Sequence, residues 1–124
     1  MKNLVIGLFL VAFTITATAQ DKMKVQTVNF EQTMGEFTQK SLTLSEGTYV
    51  FNVSNNNAAP EVGLVLIEAG KDGADAKNHI KDAYVSKMVT HGNTESSKPV
   101  TLKKGTYKYF CPFNKTPQYT LVVK

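Results

Sequence analysis

The 124-residue sequence contains one cysteine, Cys111, and no arginine. A lone cysteine cannot close an internal disulfide, so in an exported chain it must be buried, liganded, reactive or paired with another chain. Without arginine there is no bidentate fork for phosphate, and the lysines are scattered rather than clustered, which excludes a nucleic-acid interface. The 14 basic and 10 acidic residues leave a net charge of +4, and the reading of that excess is a solvated surface. Only two histidines are present, His79 and His91, and neither a histidine nor a methionine follows Cys111. There is no glycine-rich phosphate loop, no serine elbow and no histidine pair at metal spacing. A Cys/His nucleophile would need His91 beside Cys111 and an activated thiolate, and an inward-facing strand cysteine argues against that. The expectation is no enzyme and no catalytic residue.

The first twenty residues read as a leader. Lys2 and Asn3 form a short polar start, residues 4–13 form an apolar run, and Ala17-Thr18-Ala19 is a small-x-small cleavage pattern before Gln20. The apolar run is short for a bilayer, which needs about 20 residues, so a membrane anchor is the weaker reading. No cysteine near residue 20 offers a lipid attachment point. The expected organisation is a signal peptide over 1–19 and one domain over 20–124, periplasmic or secreted. Without Lys2 the remaining chain carries 13 basic and 10 acidic residues, a net charge of +3.

An internal echo organises the domain. Leu42-Thr43-Leu44-Ser45-Glu46-Gly47-Thr48-Tyr49-Val50-Phe51 returns 58 residues later as Val100-Thr101-Leu102-Lys103-Lys104-Gly105-Thr106-Tyr107-Lys108-Tyr109. Each copy reads as a β-hairpin, with Gly47 and Gly105 at the positions where a positive φ is easiest to reach. Strand alternation puts Tyr49, Phe51 and Val53 on one side of the first copy, and Tyr107, Tyr109 and Cys111 on one side of the second. Further strands are expected at 24–30, 61–67 and 119–123. Between residues 70 and 88, Ala76, Ile80, Ala83, Tyr84 and Met88 recur at spacings of three and four, with Asp72 or Asp75 as a cap, and predict one amphipathic helix. Residues 55–60 and 91–97 are loops by composition.

This order of elements resembles the cupredoxin family, most specifically through the strand Gly105-Thr106-Tyr107-Lys108-Tyr109-Phe110-Cys111 and the loop that follows it. The resemblance covers roughly residues 36–124. It implies an all-β, Greek-key β-sandwich of cupredoxin type with one helical insertion at about 72–86. The family's blue-copper site uses two histidines, a cysteine and a weak axial methionine or glutamine. The resemblance places the first histidine after the Asn-rich loop, where Glu61 follows Pro60. It places the second just after the cysteine, where Phe113 and Asn114 stand, and leaves Gln118 as the one axial donor. Cys111 alone matches.

The expected function is therefore a cupredoxin-like domain without an intact type-1 site and without a cofactor, acting as a binding or interaction module. Its contact point would be the loop end of residues 55–60 and 113–118, where Pro112 and Phe113 are apolar in a polar loop. The partner would be a protein or small ligand, with a monomer as the simplest state and no membrane insertion. An alternative is a copper protein, either an electron carrier or a Cu(I) carrier that uses Cys111 with Met88, His91 or Glu61. Met23 and Met34 would assist such a carrier. A third class is an immunoglobulin-like adhesion or carbohydrate-binding domain that shares only architecture. In the bland readings Cys111 is a buried thiol behaving as a small hydrophobe, Glu61 a solvated edge residue and His79 a surface residue of the helix.

Overall fold

A computed structural model of the chain describes residues 24–124; the expected leader and Met23 lie outside the described residues. Eleven strands follow one another: β1 (Val25–Thr33), β2 (Glu36–Phe37), β3 (Ser41–Leu44), β4 (Gly47–Asn55), β5 (Glu61–Val62), β6 (Val65–Glu68), β7 (Val89–Thr90), β8 (Thr94–Ser96), β9 (Val100–Leu102), β10 (Gly105–Phe110) and β11 (Tyr119–Val123). One sheet runs β2-β1-β4, with β8 and β9 both on the far side of β4. The other runs β3-β11-β10-β6, and β5 and β7 form a separate two-stranded ribbon. The expected all-β sandwich is present.

Period-two alternation builds the core between the two sheets. β1 turns Val28, Phe30 and Gln32 inward, and β4 turns Tyr49, Phe51, Val53 and Asn55 inward. The two strands are parallel, with Phe30 opposite Val53 and Gln32 opposite Asn55. Each inward row thus ends on an amide, and the two amides lie at the same end of the sandwich. From the second sheet come Tyr107, Tyr109, Leu121 and Val123, with Cys111 just beyond β10. Phe30 packs at ring-centroid distances of 5.5 Å from Phe37, 5.7 Å from Phe51 and 4.8 Å from Tyr109. These rings sit at tilted or edge-on angles, the favourable arrangements for aromatic pairs.

The echo proves to be something other than two hairpins. β3 pairs with β11 and β4 with β1, while β9 pairs with β4 and β10 with β11 and β6. In both copies the chain changes sheet at the glycine turn. Tyr49 Oη donates to Ser45 O at 2.7 Å, and Tyr107 Oη donates to Lys103 O at 2.8 Å, each reaching four residues back. These are paired tyrosine corners of the kind that brace Greek-key crossings. The Glu46 carboxylate accepts from Lys104 N–H at 3.0 Å, so the two corners touch. Gly105 has φ 155°, as expected of that turn, whereas Gly47 does not take a positive φ.

The helical insertion is also shorter than its periodicity predicts. Residues 70–88 contain two single 3₁₀ turns, Ala76–Asn78 and Lys81–Ala83, instead of one amphipathic helix. A continuous α-helix would aim Ile80 N–H at Ala76 O; it donates instead to Leu66 O on β6 at 2.8 Å. Sheet-edge pairing therefore takes the hydrogen bond that helix propagation needs. Asp75 does cap the first turn, accepting from Lys77 N–H at 3.1 Å. The segment lies so close to β10 that a Cβ on Gly73 would stand 2.8 Å from Phe110 Cζ and 2.9 Å from Gln118 Nε2. The expected strand at 61–67 is likewise broken, into β5 and β6, at Gly63 and Leu64.

Candidate functional site

The broken strand is the centre of the site. Gly63 N–H points at Cys111 Sγ at 3.4 Å, and Gly63 O accepts from Gln32 Nε2 at 2.7 Å. Gln32 Oε1 in turn accepts from Asn114 Nδ2 at 3.2 Å. Asn114 Nδ2 also donates to Thr33 O at 2.7 Å, and its Oδ1 accepts from Gly35 N–H at 2.8 Å. One chain of hydrogen bonds therefore links the thiol, the β5–β6 break, the β1–β2 turn and the loop after Cys111. Gln32 is completely buried, which is tolerable because both ends of its amide are paired. Asn55 performs a parallel task, donating to Ala59 O at 2.8 Å and Val89 O at 2.9 Å while accepting from Ala58 N–H at 2.9 Å. That amide folds the 55–60 loop onto β7.

Cys111 is fully buried. Its N–H donates to Thr116 Oγ1 at 2.9 Å, Thr116 N–H returns to Cys111 O at 3.2 Å, and Lys115 takes φ 52° between them. The 112–116 loop is thereby a closed turn with Asn114 facing the interior and Phe113 facing out, 63% exposed.

The β5–β7 ribbon gathers the other expected residues near this loop. Glu61 pairs with Thr90 and Val62 with Val89, so His91 falls one position past the pair and Met88 opposite Gly63. A Cβ on Gly63 would stand 3.6 Å from Met88 Sδ. Met88 and Cys111 are both neighbours of Gly63, and Glu61 and Met88 line one small cavity. Glu61 and His91 are exposed. Met34 is exposed on the β1–β2 turn.

Beside the ribbon lies an apolar groove of about 390 Å³, floored by Gly63, Leu64 and Val65 and walled by Val85, Met88 and Phe113. A second cavity of about 320 Å³, reaching Pro60 and Glu61, shares Met88 and Phe113 with it. His79 and Tyr84 complete the wall of the first. His79 Nε2 lies 2.7 Å from Gly73 O and Nδ1 lies 2.6 Å from Tyr84 Oη. A carbonyl can only accept, so Nε2 carries a proton, while Nδ1 shares a hydrogen bond with the Tyr84 hydroxyl. His79 also packs edge-on against Phe110, with centroids 6.4 Å apart. Far from being a solvated helix residue, it fastens the 70–88 segment over the sheet and fixes the groove wall.

Sequence reasoning pointed to Cys111, Asn114 and Phe113 but passed over Gln32 and Gly63. The signal for Gln32 was there: it continues the inward row of Val28 and Phe30, where an amide needs a buried partner. Gly63 interrupts an apolar run, the usual mark of a bulge or close backbone approach.

Elsewhere the electrostatics are mild. Burial pushes the Tyr109 hydroxyl up to about 12, with Tyr119 adding to the rise; that hydroxyl donates to Gln39 O. At the surface, a hydrogen bond from Lys40 lowers Glu36, and the same bond raises Lys40.

Residues 5–123 match the model of a family described as "Cupredoxin-like domain". No curated protein matches the chain. Among solved structures, the chain is similar to auracyanin A, a "blue" copper protein from the green thermophilic photosynthetic bacterium Chloroflexus aurantiacus. That match has a TM-score of 0.66 and 21% identity, covering 82% of this chain and 100% of that one. It is also similar to the dithionite-reduced auracyanin of the photosynthetic bacterium Roseiflexus castenholzii, with a TM-score of 0.59 and 18% identity over 80% of this chain and 97% of that one. The azurin Az-iso2 of the obligate methylotroph Methylomonas sp. strain J matches with a TM-score of 0.54 and 16% identity over 80% and 98%. At these identities the likeness is one of fold.

The donors around Cys111 do not fit a type-1 copper centre, which needs two imidazoles with the thiolate. Both nitrogens of His79 are engaged, by Gly73 and Tyr84, and His91 is exposed beyond β7. The amide of Asn114 faces the β1–β2 turn. Among the described residues no three His, Cys, Asp or Glu side chains cluster as a metal site.

Proposed function

The chain belongs to the cupredoxin-like domain family, and from that premise we propose that it is an exported, non-enzymatic binding module that has given up type-1 copper chemistry. The observation that carries this reading is the amide lock. Gln32 and Asn114 fill the interior beside Cys111 with amides that are bonded to each other and to the backbone. What remains open at the same end is apolar: Met88 and Phe113 join two cavities into one surface. A concave apolar surface with few polar groups is the usual form of a ligand site, and an exposed phenylalanine at its lip suits contact with a partner.

Export rests on the leader over 1–19. No helix among the described residues is long and apolar enough to cross a membrane. N-terminal mapping of the protein recovered from outside the cytoplasm is expected to begin at Gln20.

The copper reading retains one supporting observation, the nearness of Met88 Sδ and Cys111 Sγ to the same glycine. Both readings meet in one titration. Purified protein given Cu(II), and separately Cu(I) under reducing conditions, is expected to show no intense thiolate-to-copper absorption and no stoichiometric Cu(I). A blue band, or one tightly held Cu(I), that disappears in Cys111→Ser would overturn the proposal.

A further inference from the structure

We propose that the groove beside β5 and β6 takes a small amphipathic carboxylate, with its apolar body on Leu64, Val65, Val85 and Met88 and its carboxylate on Lys87. The inference rests on the binding-module reading and adds the chemistry of the occupant. Three properties of the groove lead to it.

The first is size and lining. About 390 Å³ lies at the small end of the range that ligand sites occupy, and aliphatic and aromatic side chains dominate its surface. That space suits a short alkyl or arylalkyl body rather than a sugar, whose hydroxyls would be left unpaired against it.

The second is preorganisation. Gly73 O and Tyr84 Oη hold His79 from both sides, and Val85 bridges to Ser97. The floor is fixed through Gly63 by Cys111 and Gln32. A wall held in this way need not be ordered by the ligand, which removes part of the entropic cost of binding.

The third is charge. Lys87 is the one lysine lining the groove, and the carboxylate of the joined surface, Glu61, lines the adjoining cavity instead. Glu95 lies 3.8 Å from the Lys87 ammonium, which remains 74% exposed; such an exposed pair is weak, so a ligand anion can compete for the ammonium. The Tyr84 hydroxyl and both His79 ring nitrogens are already engaged, with each other and with Gly73 O, so Lys87 is the wall's available donor. Charge and shape together select an anion with an apolar tail.

The test uses octanoate, 1-octanol and octylammonium as a matched series, followed by calorimetry and by NMR shifts of the Leu64, Val65, Val85 and Met88 methyl groups. Octanoate is expected to bind about two- to fivefold tighter than octylammonium, in keeping with one exposed ion pair. Shortening octanoate by two methylenes weakens binding about tenfold. Lys87→Glu, an exposed change, reverses the order of octanoate and octylammonium. Phe113→Ser, at an exposed loop tip, weakens all three. Equal binding of the three probes at the groove methyls would overturn the carboxylate inference while leaving the binding-module reading intact. Failure of every probe to shift those methyls would overturn the occupant altogether. Failure of the binding-module reading itself would show separately, as the Cys111-dependent copper signal.

Discussion

At the scale of single residues, the notable change is that two paired amides, Gln32 and Asn114, stand near Cys111, Asn114 in the stretch where the resemblance called for an imidazole. Gln32 holds Gly63 O at 2.7 Å and accepts from Asn114 at 3.2 Å, so its removal orphans Gly63 O and leaves Asn114 Nδ2 with Thr33 O as its remaining partner. Replacing one partner of a buried hydrogen bond costs about 1–3 kcal/mol, more than the bond itself contributes. Gln32→Leu keeps the volume roughly and deletes the pairing. Its urea midpoint is expected to fall by an amount corresponding to that range, and an unchanged midpoint would mean that water replaces the amide. Cys111 gives a second prediction at this scale. Its side chain is completely buried, so a thiol reagent reaches it only when the protein opens. Labelling is expected to be slow in buffer and immediate in denaturant; fast stoichiometric labelling of the native protein would contradict the packed thiol.

At the scale of elements, what could be read from the sequence divides along a physical line. Alternation is a local property, and it located β11 at Tyr119–Val123 and the inward rows of β4 and β10. Pairing partners are not local. The two Thr-Tyr echoes look like hairpins because strand, glycine turn and strand follow one another, yet the strands of each echo belong to opposite sheets. Nothing in ten residues states which sheet the second strand joins. The helix periodicity of residues 70–88 lost to tertiary pairing for the same reason, at Ile80 N–H and Leu66 O. For the site, Cys111 and the loop after it were legible, whereas the groove was not, because it joins segments from three distant parts of the chain. The corners now carry a prediction. Tyr49→Phe and Tyr107→Phe each remove one hydroxyl-to-carbonyl bond and should each cost about 1 kcal/mol by denaturant melting. The glycines should differ. Gly105→Ala must hold an alanine at φ 155°, a cost of about 1–3 kcal/mol. At Gly47, with no positive φ, the nearest atom to a Cβ lies an ordinary 3.7 Å away, and alanine should be close to neutral. Equal losses at the two sites would mean that the corners share a constraint beyond the backbone angle.

At the scale of the whole molecule, stability at alkaline pH reports on the sandwich through Tyr109. Its ring sits in the shared core of both sheets, 4.8 Å from Phe30 and 5.5 Å from Tyr119, and burial raises its hydroxyl to about 12. An unfolded tyrosine titrates near 10. Below that value both states keep the proton, and the contribution to stability is fully present. Between roughly 10 and 12 the unfolded chain releases a proton that the native protein retains, so stability falls as pH rises and is lost through the native value. Lys40, raised by its bond to Glu36, bends the curve in the same direction. The decisive quantity is therefore the gap between wild type and Tyr109→Phe. At pH 8 the wild type should be the more stable, because the variant lacks the bond to Gln39 O. As pH climbs from 9.5 to 11.5 that gap should narrow, since phenylalanine has no proton to lose. Urea melts at these pH values measure it directly, and a constant gap would show that the Tyr109 hydroxyl titrates alike in the folded and unfolded chain.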